Sequence, residues 1–394
     1  MNQIEFEFLD EIIYPARTRN KNFKRFACYA LLGAVAVLFP LRSWADSDDP
    51  KRFIPRILVS STIPANGDLN PYGVAFVPPG FPAGTLNPGD VLVSNFNNSK
   101  NLQGMGSTII KLTPSGGAEP DMQAQVFFHG TPPLGLTTAL GVLKRGFVLV
   151  GNVTTTDGTS KTVKGGPLLF IDRNGKLLTK LDSSAANKLN GPWDLALADD
   201  FNSAKVFVSN VLDGTVVRID LALPDSKTVK VTSVTQIASG YKHRTDPAAL
   251  VLGPTGLVFD RAADVLYVAS TADNAIFKVL HAGSAGPSSG TGNLVFKDVH
   301  LRGPLALAPA PNGDLLTSNG DAINPDPAQP SEIVEFTKTG KFIGEYNIHQ
   351  NQGGAFGVAT SISDETSDGG TDIDRLAVVN DNANDVSVTT FVLP

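Results

Sequence analysis

Pro192-Trp193-Asp194-Leu195-Ala196-Leu197, Lys205-Val206-Phe207-Val208-Ser209-Asn210 and Thr215-Val216-Val217-Arg218-Ile219-Asp220 follow one another with only short polar breaks between them. The first stretch is nearly all apolar, as a strand buried on both faces should be. The next two alternate polar and apolar residues, the pattern of half-buried strands. Asp199 to Ala204 and Asn210 to Gly214 carry the Asp, Asn, Ser and Gly residues that tight connections use. Val229 to Ala238 supplies a fourth strand. One unit of this chain is therefore four short strands in a row.

The same unit recurs along the chain. Its opening is read at Pro71-Tyr72-Gly73, Pro133-Leu134-Gly135, Pro192-Trp193-Asp194, Pro254-Thr255-Gly256, Pro304-Leu305-Ala306 and Ala355-Phe356-Gly357, at intervals of about fifty to sixty residues. The second strands close on Asn95, Asn152, Asn210, Ser270, Asn319 and Asn380. Six units of four strands, each opened by the same cue, predict an all-β protein, a six-bladed β-propeller with four-stranded antiparallel blades around a channel. The last unit, with Arg375 to Asn380 and Val386 to Val392, is one strand short. Arg56-Ile57-Leu58-Val59-Ser60 precedes the first unit and is unclaimed, so it is expected to complete the last blade, close the ring and cover two exposed edges. Residues 46–394 then form one propeller domain, with blades starting near 71, 133, 192, 254, 304 and 355.

Residues 1–45 read as a signal peptide. Arg17, Arg19, Lys21, Lys24 and Arg25 make a basic region, Ala27 to Phe39 an apolar one, and Ser43-Trp44-Ala45 a small-x-small cleavage site. Cys28, the single cysteine, lies at the start of the apolar region, so the mature chain would hold no disulfide and no thiolate. A domain of this size can bury enough apolar surface without such staples. Export from a bacterial cell, to the periplasm or beyond, is the expected location, with no membrane attachment after cleavage. The 394 residues carry a net charge of −6, and most of the clustered basic residues lie in the leader, so nucleic acid is not an expected partner.

Leu266-Tyr267-Val268-Ala269-Ser270-Thr271-Ala272-Asp273-Asn274-Ala275-Ile276 resembles the repeat core of NHL-type propellers, as does Val206 to Asn210 continued through Val217-Arg218-Ile219. The pattern is also similar to that of the six-bladed gluconolactonase and regucalcin-like proteins. The resemblance spans all six units and implies the fold more sharply than any activity, because propellers host many chemistries. It implies a divalent ion such as Ca²⁺ at the channel mouth, with Asp194, Asn152 and Asn210 as the ligands to consider, since Asn carbonyls and Asp carboxylates are hard oxygen donors. Those relatives carry a Glu near the start of the first blade, where this chain has Tyr72-Gly73.

The six strand-end residues are placed together at one face, and Asn95, Asn152, Asn210, Asn319 and Asn380 are candidates to bind a ligand there, with Tyr72 and Trp193 from the inner strands. Asn at a strand end equally serves to tie turns. His243, in Tyr241-Lys242-His243-Arg244-Thr245-Asp246, is the candidate general base, oriented by Asp246 or Asp194. Asp364 to Asp374 is an acidic, Gly-rich stretch without EF-hand spacing. Neither Gly-x-Ser-x-Gly nor His-Glu-x-x-His is present. The expected function is an exported binding or scaffold protein for a small polar ligand or a protein, monomeric because a closed ring needs no partner. The alternative is a metal-dependent lactonase-like hydrolase.

Overall fold

The computed structural model describes residues 56–114, 124–320, 332–348, 354–361 and 373–392. All of them belong to one compact unit, Arg52–Pro394. The described residues form strands and turns, with no α-helix. Six four-stranded antiparallel blades make a propeller, and their inner strands are Leu69–Phe76, Leu136–Leu143, Pro192–Asp199, Pro254–Asp260, Pro304–Pro309 and Ala355–Ser361. Each inner strand packs against the next around the ring, and the sixth against the first. The protein is a closed six-bladed β-propeller.

Closure follows the expected route. Arg56–Ser61 pairs antiparallel with Asp385–Val392, from Arg56 opposite Thr390 to Ser61 opposite Asp385, and becomes the outermost strand of the sixth blade. The second blade differs in one detail from the sequence pattern. Its inner strand begins at Leu136, and Leu136 sits opposite Asn152 in the place where Pro192 sits opposite Asn210. Pro133-Leu134-Gly135 imitates the opening cue but lies just ahead of the strand. A further two-stranded hairpin, Arg244–Asp246 with Leu250–Leu252, is inserted between the third and fourth blades.

The buried apolar side chains gather in six clusters, most of them sandwiched between two adjacent blades, while one runs across the end of the channel from the seam of the sixth and first blades to Trp193 and Leu305. Val206, Val208, Val217 and Ile219 of blade three, for example, meet Leu149, Phe170 and Leu168 of blade two. Period-two alternation puts these residues on one face and Lys205, with its partner Asp220 at 3.0 Å, on a wetter flank.

Hydroxyl groups join the blades near the axis. Ser94 Oγ accepts from Gly73 N–H at 2.9 Å and donates to Thr137 O of the next blade at 2.9 Å. Ser209 repeats this between Asp194 N–H (3.1 Å) and Thr255 O (2.8 Å), and Ser318 between Ala306 N–H (3.1 Å) and Phe356 O (2.6 Å). Each N–H so caught lies where the pairing of inner and second strand shifts register, and would otherwise lack a partner. The alternate blades have Gly151, Ala269 and Val379 at the serine position. In two of them threonines make the link: Thr137 Oγ1 donates to Pro192 O at 2.8 Å, and Thr271 Oγ1 to Pro304 O at 2.7 Å. The sixth blade closes on the first by direct approach, since a side chain at Gly357 would collide with Tyr72 O.

Candidate ligand site at the channel mouth

Residues near the start of four of the six inner strands form the floor of a cavity of about 280 Å³ at one end of the channel. Tyr72, Trp193, Leu305 and Phe356 all line it. Tyr72 stacks between Phe96, ring centroids 4.3 Å apart, and Phe356, 3.8 Å apart. Trp193 packs against Tyr72 and Phe96 at 5.9 and 5.7 Å. Each ring is locked by the others, which gives the floor a fixed shape at little entropic cost.

The walls are of two kinds. Ala248, Ala249, Val251 and Leu252, from the inserted hairpin, make an apolar side. Asn70, Asn97, Asn101 and Gln103 from the first blade face Asn382 and Asn384 from the sixth and make an amide-rich rim. Asn70, Asn101 and Asn384 adopt φ values of 62°, 57° and 55°, a left-handed conformation that Asn tolerates better than most residues. The rim is internally braced: Asn97 Nδ2 donates to Asn101 Oδ1 at 2.7 Å, and Asn70 N–H donates to Asn384 Oδ1 at 2.7 Å. Among the described residues, Asp381 is the one acid on the lining, and no Lys, Arg or His lines it.

Two polar atoms of this lining are left over. Trp193 Nε1–H and Asn97 Oδ1 are buried and have no hydrogen-bond partner in the protein. Trp193 and Asn97 are each only 2% exposed. A buried donor and a buried acceptor left without partners, on two residues of one cavity lining, are costly to the protein.

Of the residues singled out from sequence, Tyr72 and Trp193 stand in this cavity. The strand-end Asn residues lie outside its lining; Asn95, Asn210 and Asn319 hold the chain entering their blades, whereas Asn152 and Asn380 bond loops of their own blades. Asn210 accepts from Asn190 N–H at 3.0 Å and donates to Lys188 O and Thr215 Oγ1, both at 2.9 Å. Asn319 accepts from Arg302 N–H at 2.9 Å and donates to His300 O at 2.7 Å. Asn380 Oδ1 accepts from Asn382 and Ala383 N–H, at 3.1 and 3.0 Å. Asn95 donates to Thr62 O at 3.2 Å and Thr108 Oγ1 at 3.3 Å, and Asn152 to Pro167 O at 2.8 Å. The Oδ1 atoms of Asn95 and Asn152 are buried without partners. In the fourth blade Ser270 ends the strand and bonds Asp273 at 2.7 Å, and the neighbouring Asn274 ties the chain that enters the fifth blade through Leu301 O and Gly303 N–H.

Asp194 is deeper in the channel than the mouth cavity. Its Oδ1 accepts from Leu195 N–H at 2.7 Å and its Oδ2 from Leu257 N–H at 3.3 Å, so the carboxyl bridges the inner strands of the third and fourth blades. Burial pushes this carboxyl well above its ordinary value of 3.8, against the two amide bonds that favour the ionised form. Asn210 spends both ends of its amide on the chain, so Asp194, Asn152 and Asn210 do not form a cation cage, and no step is routed through a metal here. Among the described residues no group of three or more His, Cys, Asp or Glu is placed to hold one. His243 Nδ1 lies 3.0 Å from Tyr241 O, while Asp246 pairs with Arg244 at 3.2 Å and caps Ala248 and Ala249. The Tyr241–Asp246 loop therefore serves the cavity through the hairpin it begins. Most of Asp364 to Asp374 lies outside the described residues.

The rim residues Asn97, Asn101, Asn382 and Asn384 and the wall residue Val251 escape a reading by repeat position. The signal present is local: Asn95-Phe96-Asn97-Asn98 and Asn380-Asp381-Asn382-Ala383-Asn384 are amide-rich tracts just past two strand ends that the ring brings side by side.

No protein-family model matches this chain, and no curated protein matches it. Solved structures do. A DUF4623 family protein from Bacteroides eggerthii is 12% identical with a TM-score of 0.51, over 86% of this chain and 76% of that one. Regucalcin, a calcium-binding protein from Agrobacterium tumefaciens, is 12% identical with a TM-score of 0.48, over 84% and 93%. The PQQ-bound aldose sugar dehydrogenase from Streptomyces coelicolor is 14% identical with a TM-score of 0.46, over 86% and 100%. At such identities the likeness concerns the fold alone. Fold and site together define a six-bladed β-propeller with a ligand-sized cavity at one end of its channel.

Proposed function

We propose that this is an exported binding protein that takes a small, uncharged, hydroxyl-rich ligand of the carbohydrate class at the channel mouth. The observation that carries the reading is the pair of orphaned atoms, Trp193 Nε1–H and Asn97 Oδ1, on a cavity floored by stacked rings. A sugar hydroxyl both donates and accepts, so neighbouring hydroxyls of one ring satisfy the two atoms together. The apolar face of the same ring lies against Tyr72 and Trp193, in a concave site that combines apolar contact with a few fixed polar groups. Among the described residues the lining offers no Lys, Arg or His to hold an anionic ligand. Export is supported by the leader pattern of residues 1–45, which fractionation and N-terminal sequencing of the secreted chain would test.

The binding test is a panel of neutral mono- and disaccharides, with sugar lactones included, read by thermal shift of the full chain. A ligand at about 100 times its dissociation constant stabilises by about 2.7 kcal/mol, enough to raise the midpoint by several degrees. The proposal requires at least one neutral sugar to do so, and the shift to shrink in Trp193→Phe. If no member of the panel moves the midpoint, the carbohydrate assignment fails.

A further inference from the structure

The packed clusters of the propeller are not filled alike. Five of them hold aromatic rings among their buried residues, such as Phe147 and Phe170 between the second and third blades, or Phe296 and Phe336, stacked 4.6 Å apart, between the fourth and fifth. Among the described residues the cluster between the fifth and sixth blades holds none, and Ala306, Ala308, Ala310 and Ala355 make up half of its buried members. A cavity of about 540 Å³ lies at this seam. Interiors are ordinarily close-packed, so a seam filled largely by methyl groups leaves room that larger side chains take up elsewhere in the ring.

Leu316 and Ile333 of the fifth blade and Leu376 and Phe391 of the sixth line this space, with Ala310 and Ile348. The polar side chains of the lining are engaged with the protein itself. Glu335 accepts from Asn312 Nδ2 at 2.8 Å on one oxygen and from Tyr346 OH at 2.9 Å on the other. Thr360 Oγ1 donates to Pro309 O at 2.8 Å. Arg375 turns its guanidinium to the first blade, where it donates to Gly89 O at 2.9 Å and lies 4.7 Å over the Phe76 ring. A charged ligand would therefore find no free counter-charge here, and burying an unpaired charge is costly. An apolar space also holds water poorly. Its volume falls within the range of about 300–1,000 Å³ typical of small-molecule sites. The complementary ligand is uncharged and apolar, and rings are what the other seams use as filling.

We propose that the cavity between the fifth and sixth blades binds a neutral aromatic molecule of one or two fused rings, held by Leu316, Ile333, Leu376 and Phe391. The ligand takes the place of the ring that this seam lacks. Binding is by shape and apolar contact, and it needs no charge on either side. The site shares no lining residue with the mouth cavity, and its ligand differs in class from a neutral sugar.

The test uses 2-naphthol, uncharged at neutral pH, with 2-naphthoate as the anionic analogue of like shape, against the full chain by isothermal titration calorimetry and thermal shift. Naphthol should bind at least about tenfold more tightly than naphthoate, because the anion must be buried unpaired. Ala310→Phe places a ring in the cavity, so it should abolish naphthol binding while the ligand-free midpoint holds or rises. Ile348→Trp narrows the same space from a half-buried position and should weaken naphthol at least about tenfold, which keeps the test decisive if Ala310→Phe does not fold. Trp193→Phe, at the mouth, should leave naphthol affinity unchanged, and a sugar-induced shift should persist in Ile348→Trp, so the outcome is independent of the carbohydrate reading. No naphthol binding, equal affinity for the two probes, or binding that survives the filling variants would overturn the proposal. So would loss of binding in Trp193→Phe, which would put the probe at the mouth, or a dimer in light scattering that Ile348→Trp abolishes, which would assign the seam to a second copy of the chain.

Discussion

Trp193 and Asp194 are adjacent in sequence and point to opposite problems, one an unsatisfied donor, the other an unpaired acid. Replacing Trp193 by Phe removes the orphaned N–H while keeping an aromatic ring. We expect affinity for a bound sugar to fall by about tenfold, the worth of roughly one hydrogen bond, with the midpoint of the ligand-free protein unchanged or slightly raised. Calorimetric titration beside a ligand-free melt separates the two effects. Asp194 makes a pH prediction whose sign follows from its raised pKa. The native state holds the proton above 3.8, where the unfolded chain has lost it, so the group's contribution is fully present below that value and is lost as pH rises towards the native pKa. Asp194→Asn abolishes this loss. Wild type and variant should melt together near the ordinary carboxylate value, and the variant should melt higher by a few degrees at neutral pH, as scanning calorimetry across that range would show. Equal midpoints at both ends would mean that the burial penalty is offset elsewhere. Trp193 was visible in the sequence because it heads an inner strand. Asn97 was not, because its importance comes from being opposite Asn382 and Asn384 across the seam where the chain's two ends meet.

At the scale of the element, hydroxyl links near the axis hold the inner strands to one another. Ser209→Ala leaves Asp194 N–H and Thr255 O without their buried partner. An unsatisfied buried group costs about 1–3 kcal/mol. Thermal unfolding should therefore fall by several degrees, whereas Ser203→Ala, at the exposed first residue of the same strand, should leave the midpoint within about a degree. If the two variants melt alike, the serine link contributes nothing net. Strand identity was legible because period-two alternation and turn residues are local properties of the chain. The role of the linking serines was not legible, since Ser94 and Thr137 meet only across two blades. The second blade shows the limit of local cues from the other side. Pro133-Leu134-Gly135 satisfies the opening pattern, yet pairing with Asn152 selects Leu136. The inserted hairpin was read as a loop with functional character, and its contribution is to wall the cavity with Ala248, Ala249, Val251 and Leu252.

For the whole molecule, the decisive interaction is the one between the chain's two ends. Arg56–Ser61 is a six-residue strand, and Leu58 packs with Val386 and Val388 in the cluster that joins the sixth blade to the first. That cluster also contains Tyr72, Phe96, Trp193 and Phe356, the rings under the mouth cavity. Closure and the site are thus parts of one packed unit. Loss of the strand leaves Asp385–Val392 as an open edge, with its unpaired amides and carbonyls available to other chains. It also withdraws Leu58 from the core, a deletion of the kind that costs about 2–5 kcal/mol. Two truncations isolate the effect: a chain beginning at Arg56, which keeps the strand, and one beginning at Thr62, which lacks it. The shorter chain should melt at least several degrees lower, scatter light on heating and lose the sugar-induced shift at the mouth, because Tyr72 and Phe356 would no longer be clamped. Identical melting of the two, with the sugar shift retained, would show that the ring holds its floor without closure and would detach the site from the seam.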